Sequence, residues 1–174
     1  MSESINNERK KKRHSIRLKD YDYSSEGMYF ITICVYGREC LFGSVVNGEM
    51  VVSRYGKIAE NEWRKTEIIR PNIKMDYFVV MPNHIHGIAH ICRGVLQYAP
   101  TNEFKSPSQT IGAIVRGFKS TITKQINKIR DTADVRLWQR NYYEHIIRDE
   151  KYLNSIREYI INNPAKWEYD KYYI

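Results

Sequence analysis

The sequence predicts an α+β fold, a mainly antiparallel, ferredoxin-like sheet with helices packed on it. Three observations carry that prediction. Two β-type runs in "IKMDYFVVMPNHIHGIAHI" are broken at Pro82-Asn83, a natural turn pair. Two short apolar arms in "LFGSVVNGEMVVS" flank Asn47-Gly48, which tolerates positive φ at both central positions of a type I′ hairpin turn. Amphipathic helical stripes follow the strands, so the order reads strand, hairpin, helix, strand, strand, helix, helix. A split βαβ arrangement is the simplest closed solution to that order.

Each element has its own local reason. From Met28, "MYFITICVY" is rich in β-branched and aromatic residues and has the length of a core strand. Ser53 suits an N-cap, and Tyr55, Ile58, Ala59, Trp63 and Ile69 form a helical stripe that Pro71 ends. Arg93 to Ser108, with one Gly and two Pro, reads as a long exposed loop of the kind that often carries function. In "QTIGAIVRGFKSTITKQINKI", Ile111, Val115, Phe118, Ile122, Ile126 and Ile129 recur at spacings of 4, 3, 4, 4 and 3, one face of a helix. A last helix starts near Asp149, buries Leu153, Ile156 and Ile160, and is stopped by Pro164, because a residue before proline is pushed out of the α region.

Composition narrows the partners. At 174 residues, with 42% hydrophobic and 13% aromatic content, the chain is long enough for one sizeable core. The expected organisation is a basic arm over residues 1–27 followed by one domain over 28–174. A formal charge of +8 suits a polyanion better than an acidic protein or a neutral metabolite. The block "ERKKKRHSIRLKD", which includes Arg13, extends that charge, as do Arg116, Lys119, Lys124 and Lys128 on the polar face of the longest helix. Solvated surface charge is the ordinary alternative for both. No apolar run approaches the ~20 residues of a membrane span, and no signal-peptide stretch is present, so a cytoplasmic protein is expected. Cys34, Cys40 and Cys92 form no CxxC pair, which argues against a disulfide framework or a cysteine zinc site.

The chemistry concentrates in "HIH". Alternate side chains of a strand share a face, so His84 and His86 emerge together about 7 Å apart along the chain. Two imidazoles with added oxygen donors accept Mn²⁺ or Mg²⁺, with open zinc and iron sites formally allowed. An isolated pair of this kind is more often structural than metal-binding. His90 has the same parity but lies too far along the strand to share one ion. In the last helix Tyr159 and Asn163 stand four apart and share a face. If that face lies over the histidines, Asn163 completes a metal shell and the Tyr159 hydroxyl reaches a group bound there, as transesterification by a tyrosine requires. Tyr142, Tyr143 and Tyr152 are the rival nucleophiles.

The segments "MPNHIHGI", "GAIVRGFKS" and "LWQRNYYEHIIRDEKYLNSIREYIINNPAKW" together resemble the HUH single-tyrosine transposases, and within them the REP-associated tyrosine transposases. The similarity runs from about Met28 to Trp167. It implies that His84 and His86 are the paired metal ligands around Ile85, that Tyr159 is the nucleophile, and that Asn163 helps hold Mg²⁺ or Mn²⁺. It further implies a DNA transposase that cleaves and rejoins single-stranded, hairpin-flanked DNA through a 5′-phosphotyrosine intermediate and a free 3′ hydroxyl, with no ATP. Single-stranded or hairpin DNA is then the partner, and the protein a monomer or homodimer.

Two other classes compete with that reading. A non-catalytic module displaying sheet aromatics to single-stranded nucleic acid leaves the coincidence of His84, His86 and Asn163 unexplained. A small metal-dependent hydrolase is disfavoured by the positive charge and by the lack of an acidic ligand cluster. Metal dependence separates the transposase from the module, and a covalent tyrosine adduct separates it from the hydrolase.

Overall fold

In the computed structural model, which describes residues 25–92, 110–133 and 135–174, the chain runs through nine main elements. They are β1 (Gly27–Cys34), β2 (Gly43–Val46), β3 (Glu49–Val52), α1 (Arg54–Ile69), β4 (Ile73–Val80), β5 (His84–Ile91), α2 (Ile111–Arg130), β6 (Tyr143–Ile147) and α3 (Glu150–Asn162). A 3₁₀ segment, Pro164–Tyr169, follows α3. The basic arm with Arg13, and the loop from Arg93 to Ser108, lie outside the described residues.

β1, β4, β5 and β6 form one antiparallel sheet in the order β4-β5-β1-β6. With α1 between β1 and β4 and α2 between β5 and β6, this is the βαββαβ order of a ferredoxin-like fold. The β2–β3 hairpin stands apart as a two-stranded ribbon. Its turn residues have the positive φ expected of them, 52° at Asn47 and 78° at Gly48.

Strand parity splits the molecule into two layers. Tyr29, Ile31 and Ile33 of β1, with Ile85, Ala89 and Ile91 of β5, pack against Trp63 of α1 and Phe118 and Ile122 of α2. The opposite face holds Ile88 and Ile147 against Leu153, Ile156 and Ile160 of α3, with Met28 and Phe30 beside them. His84 and His86 have the parity of that second face, so α3 is the helix laid over them.

The helix boundaries follow from capping. Ser53 Oγ accepts from the Tyr55 and Gly56 amides, Thr110 caps α2 at Ala113, and Asp149 caps α3 at Tyr152. Ile69 and Ile129, assigned to buried stripes by periodicity, are instead 69% and 45% exposed in the last turns of their helices. β6 is an element that periodicity does not reveal. Its five residues, "YEHII", alternate too briefly and include two polar side chains, yet β1 offers them a free edge and pairs from Met28↔Ile147 to Thr32↔Tyr143.

Gly87 sits where no side chain fits. A Cβ there would run into the Trp63 indole, which fills the space above β5. Gly87→Ala is therefore expected to destabilise the fold by about 2 kcal/mol, in the range of core overpacking. Urea denaturation measures it, and an unchanged midpoint would show that the indole can move aside.

Candidate metal and tyrosine site

Burial keeps both imidazoles neutral. His84 is fully buried and His86 nearly so, with ring centroids 4.4 Å apart. Desolvation holds the His84 imidazole down at about 4, although the Asp170 charge pulls it upward. Burial, and then His84, hold His86 well below its ordinary value.

Each ring is oriented by its own partner. His84 Nδ1 donates to Asn83 Oδ1 at 2.9 Å, because an amide oxygen can only accept. Its Nε2 is then an unprotonated acceptor, buried without a hydrogen-bond partner. Asn83 is itself anchored, its Nδ2 donating to the Tyr172 carbonyl at 2.8 Å. His86 Nδ1 lies 2.8 Å from Thr32 Oγ1, directly across the β1–β5 ladder. In His84 one ring nitrogen is held from behind and the other has no hydrogen-bond partner, an arrangement that metal-bound imidazoles use.

The helix and the chain beyond it close the site. Tyr159 projects from α3 so that its hydroxyl stands 3.1 Å from His86 Nε2 and 3.2 Å from Asp170 Oδ2. Phe30 stacks on His86 and meets the Tyr159 ring edge-on. Asn163, the C-cap of α3 and almost fully buried, donates from Nδ2 to Asp170 Oδ2 at 2.9 Å, while its Oδ1 has no hydrogen-bond partner. Asp170 is also held by the Tyr172 amide at 2.7 Å.

Ring nitrogens of His84 and His86 and a carboxylate oxygen of Asp170 all lie within 4.8 Å of one another. Two imidazoles, a carboxylate and the orphaned Asn163 Oδ1 make a donor set suited to a divalent cation of the Mn²⁺ or Mg²⁺ type. Asp170 is the residue that sequence reasoning missed. It lies beyond Pro164, where the helical pattern has ended, and only the 3₁₀ segment turns the chain back over the site. Burial and the Asp170 charge push the Tyr159 phenol above its ordinary value, so the free hydroxyl keeps its proton at neutral pH.

The remaining sequence candidates are distributed differently. Arg116 and Lys124 are exposed on α2, which packs on the face of the sheet turned away from the histidines. Lys119 donates to the carbonyls of Gln139 and Asn141 at 2.9 and 3.0 Å, and burial pulls it down to about 8. Tyr142 donates to Glu144 at 2.8 Å, and by register both belong to the α1–α2 face. Tyr143 belongs to the face of the histidines, and Tyr152 stands two turns before Tyr159 on α3. His90, near Cys92, is outside the cluster. No helix among the described residues is long and apolar enough to cross a membrane.

Depressed imidazoles give a pH dependence with a definite sign. The unfolded chain takes up a proton on His84 near pH 6.5, whereas the fold resists until about 4. The stability that neutral His84 contributes is complete above pH 6.5 and is lost as pH falls toward 4, by up to about 1.4 kcal/mol per pH unit for one such group. Thermal melts in a chelator should therefore fall steadily from pH 7 to pH 4.5. A flat profile would show that the imidazoles are already charged in the fold.

Comparison with known proteins agrees with this architecture. No family model matches the sequence. An uncharacterised protein of Haemophilus influenzae (strain ATCC 51907 / DSM 11121 / KW20 / Rd) is 48% identical over 170 residues, 93% of each chain. A second protein of that strain, assigned to the REP-associated tyrosine transposases, is 28% identical over 152 residues, covering 85% of this chain and 76% of its own. Among solved structures, a REP-associated tyrosine transposase bound to a REP hairpin shares the fold at a TM-score of 0.54 and 21% identity, over 91% of this chain and 77% of that one. The ferredoxin-like sheet with helices packed on it is the fold of that solved transposase. Over most of its length the chain is similar to a REP-associated tyrosine transposase in sequence and in fold.

Proposed function

We propose that the protein cleaves and rejoins single-stranded, hairpin-flanked DNA with Tyr159 as nucleophile. The observation that supports this most directly is the Tyr159 hydroxyl, held at hydrogen-bonding distance from both His86 and Asp170 within the His-His-Asp cluster of the same chain. Tyr159 Oη attacks the scissile phosphorus, the P–O3′ bond breaks, and the 3′ oxygen leaves to become a hydroxyl. The product is a 5′-phosphotyrosine. Attack by a 3′ hydroxyl reverses the exchange and restores both the phosphodiester and the phenol, so bond energy is conserved.

His84, His86, Asn163 and Asp170 would hold Mg²⁺ or Mn²⁺, which supplies positive charge to polarise the phosphate and offset the build-up of negative charge in the transition state. The chain's own residues do the rest. Asp170 accepts the phenol proton, Thr32 and Asn83 fix the two imidazoles, and Phe30 keeps the Tyr159 ring against His86. Arg13, Arg116 and Lys124 add sequence-independent attraction to phosphates, and Lys119 adds less because its ammonium already holds two carbonyls. The arm over residues 1–27 extends that attraction ahead of the single domain.

The test is incubation of the protein with 5′- or 3′-labelled hairpin DNA and Mn²⁺, resolved on a denaturing gel. A protein-linked band that a chelator removes is the expected result. Retarded migration on native gels with no covalent band, across a broad panel of hairpins, would leave a binding module instead.

A further inference from the structure

The chain beyond Asp170 folds back onto the two histidines, and Tyr172 meets them with three of its groups. Its ring lies 4.5 Å from the His84 ring and 5.8 Å from the His86 ring, tilted by 43° and 53°. Its carbonyl accepts from Asn83 Nδ2 at 2.8 Å, and Asn83 is the residue that orients His84. Its hydroxyl interacts with Thr32 and Cys34, which stand across the β1–β5 ladder from His86 and His84. Tyr172 is held in turn, with its amide on Asp170 Oδ1 at 2.7 Å and the preceding carbonyl of Lys171 3.4 Å from Arg38 Nη1.

The hydroxyl bears on a choice that His86 does not make alone. A neutral imidazole carries its proton on one nitrogen, and the hydrogen bonds around the ring set which. For His84 the matter is closed, because Asn83 Oδ1 can only accept. For His86 it is open, because Thr32 Oγ1, 2.8 Å from Nδ1, can accept or donate. The Tyr159 hydroxyl pulls the other way: it donates to Asp170 and so is free to accept from an Nε2–H. Burial pushes the Tyr172 phenol up to about 12, while the Thr32 hydroxyl works downward and the Cys34 thiol upward. Those are the signs of a hydrogen bond received from Thr32 and one given to Cys34. With its own proton committed to Tyr172, the Thr32 oxygen is left to accept from His86.

We infer that Tyr172 is a positioning residue for the cation site: its hydroxyl turns the Thr32 proton away from His86, so that this imidazole carries its proton on Nδ1 and keeps Nε2 bare. Both histidines then hold their protons on Nδ1, leaving two unprotonated Nε2 atoms as donors for a divalent ion. Thr32 and Asn83 are the direct partners of the imidazoles, and Tyr172 ties both partners to both rings through one side chain and its own carbonyl. This rests on the proposed function for the cation, though not on attack by Tyr159.

The experiment reads histidine tautomers by long-range ¹H–¹⁵N NMR of the metal-free protein at neutral pH, in a Tyr159→Phe background that removes the competing hydroxyl. Calorimetry then measures Mn²⁺ affinity in the same proteins without DNA. His84 and His86 should both carry the proton on Nδ1 in the parent. Tyr172→Phe, which keeps the ring and loses the hydroxyl, should move His86 to a mixture of tautomers and leave His84 as it was. It should also weaken Mn²⁺ binding by roughly 10-fold, the scale of an outer-shell partner. Tyr172→Ala, which loses the ring as well, should weaken it further. A His86 proton already on Nε2 in the parent, or a His86 tautomer that Tyr172→Phe leaves unchanged, would overturn the inference, even if the melting temperature fell. So would a measurable Mn²⁺ affinity that Tyr172→Phe leaves intact. The expected tautomer shift with no Mn²⁺ binding in any of these proteins would uphold the hold of Tyr172 on His86 and remove the cation from the proposed function. A Mn²⁺-dependent covalent band in the wild type with no tautomer shift would leave the proposed function standing without Tyr172.

Discussion

Tyr159→Phe is expected to abolish the protein-linked DNA product, by at least roughly 10³-fold, while leaving the fold and DNA binding in place. The substitution removes one oxygen and keeps the ring that packs on His86 at 5.2 Å and on Phe30 at 6.1 Å. What is lost is the group 3.1 Å from His86 Nε2 and 3.2 Å from Asp170 Oδ2, the only part of the side chain able to form a bond to phosphorus. Stability should move by less than about 1 kcal/mol, because the hydroxyl is on a half-exposed side chain and water can replace its partners. The paired readouts are a denaturing gel for the adduct and a thermal melt for the fold. A band of full strength in the Phe variant would transfer the nucleophile to Tyr143 or Tyr152, both on this side of the sheet.

The second large effect belongs to the histidines. His86→Ala should weaken Mn²⁺ binding by at least about 100-fold, measured by titration calorimetry without DNA. His86 is buried beside His84 and Asp170, so its removal takes one of two imidazoles from a four-donor set and opens a path for water. The same change removes the imidazole partner of Thr32 Oγ1 and empties the space beneath Phe30, which should lower stability by about 2 kcal/mol. Stability and affinity are separable here. Thr32→Val removes the hydroxyl but keeps the imidazole, and it should cost stability with a smaller loss of Mn²⁺ affinity. Unchanged Mn²⁺ affinity in His86→Ala would mean that the histidines are structural and the ion, if any, binds elsewhere.

Much of the fold is legible along the chain because its causes are local. The Asn47-Gly48 turn, the Ser53 and Asp149 caps and the Leu153, Ile156 and Ile160 stripe each depend on residues within a few positions of one another. His84 and His86 share a face for the same reason, since strand alternation needs no tertiary information. Tyr159 and Asn163 share a helical face by spacing alone. β6 is different. "YEHII" is a strand because β1 presents an unpaired edge to it, and that edge exists only after the sheet has assembled.

The basic residues show the same divide. Periodicity puts Arg116, Lys119 and Lys124 on the polar side of α2, and nothing in the sequence says which face of the sheet α2 covers. The structure puts that side away from the histidines and ties Lys119 to two loop carbonyls. Arg157, which has no assigned role in the sequence reading, holds Asp76 at 2.6 Å and so pins α3 to the bulged stretch of β4.

By itself, the sequence determined the elements other than β6, their order, the pairing of two imidazoles on one strand face and of a phenol and an amide on one helix face. Only the tertiary structure decided that these two faces meet and that Asp170 returns from beyond Pro164 to join them. The physical reason is range. Capping, alternation and helical period act over a few residues, whereas the burial that leaves the His84 and Asn163 acceptors unsatisfied arises from segments some 80 residues apart.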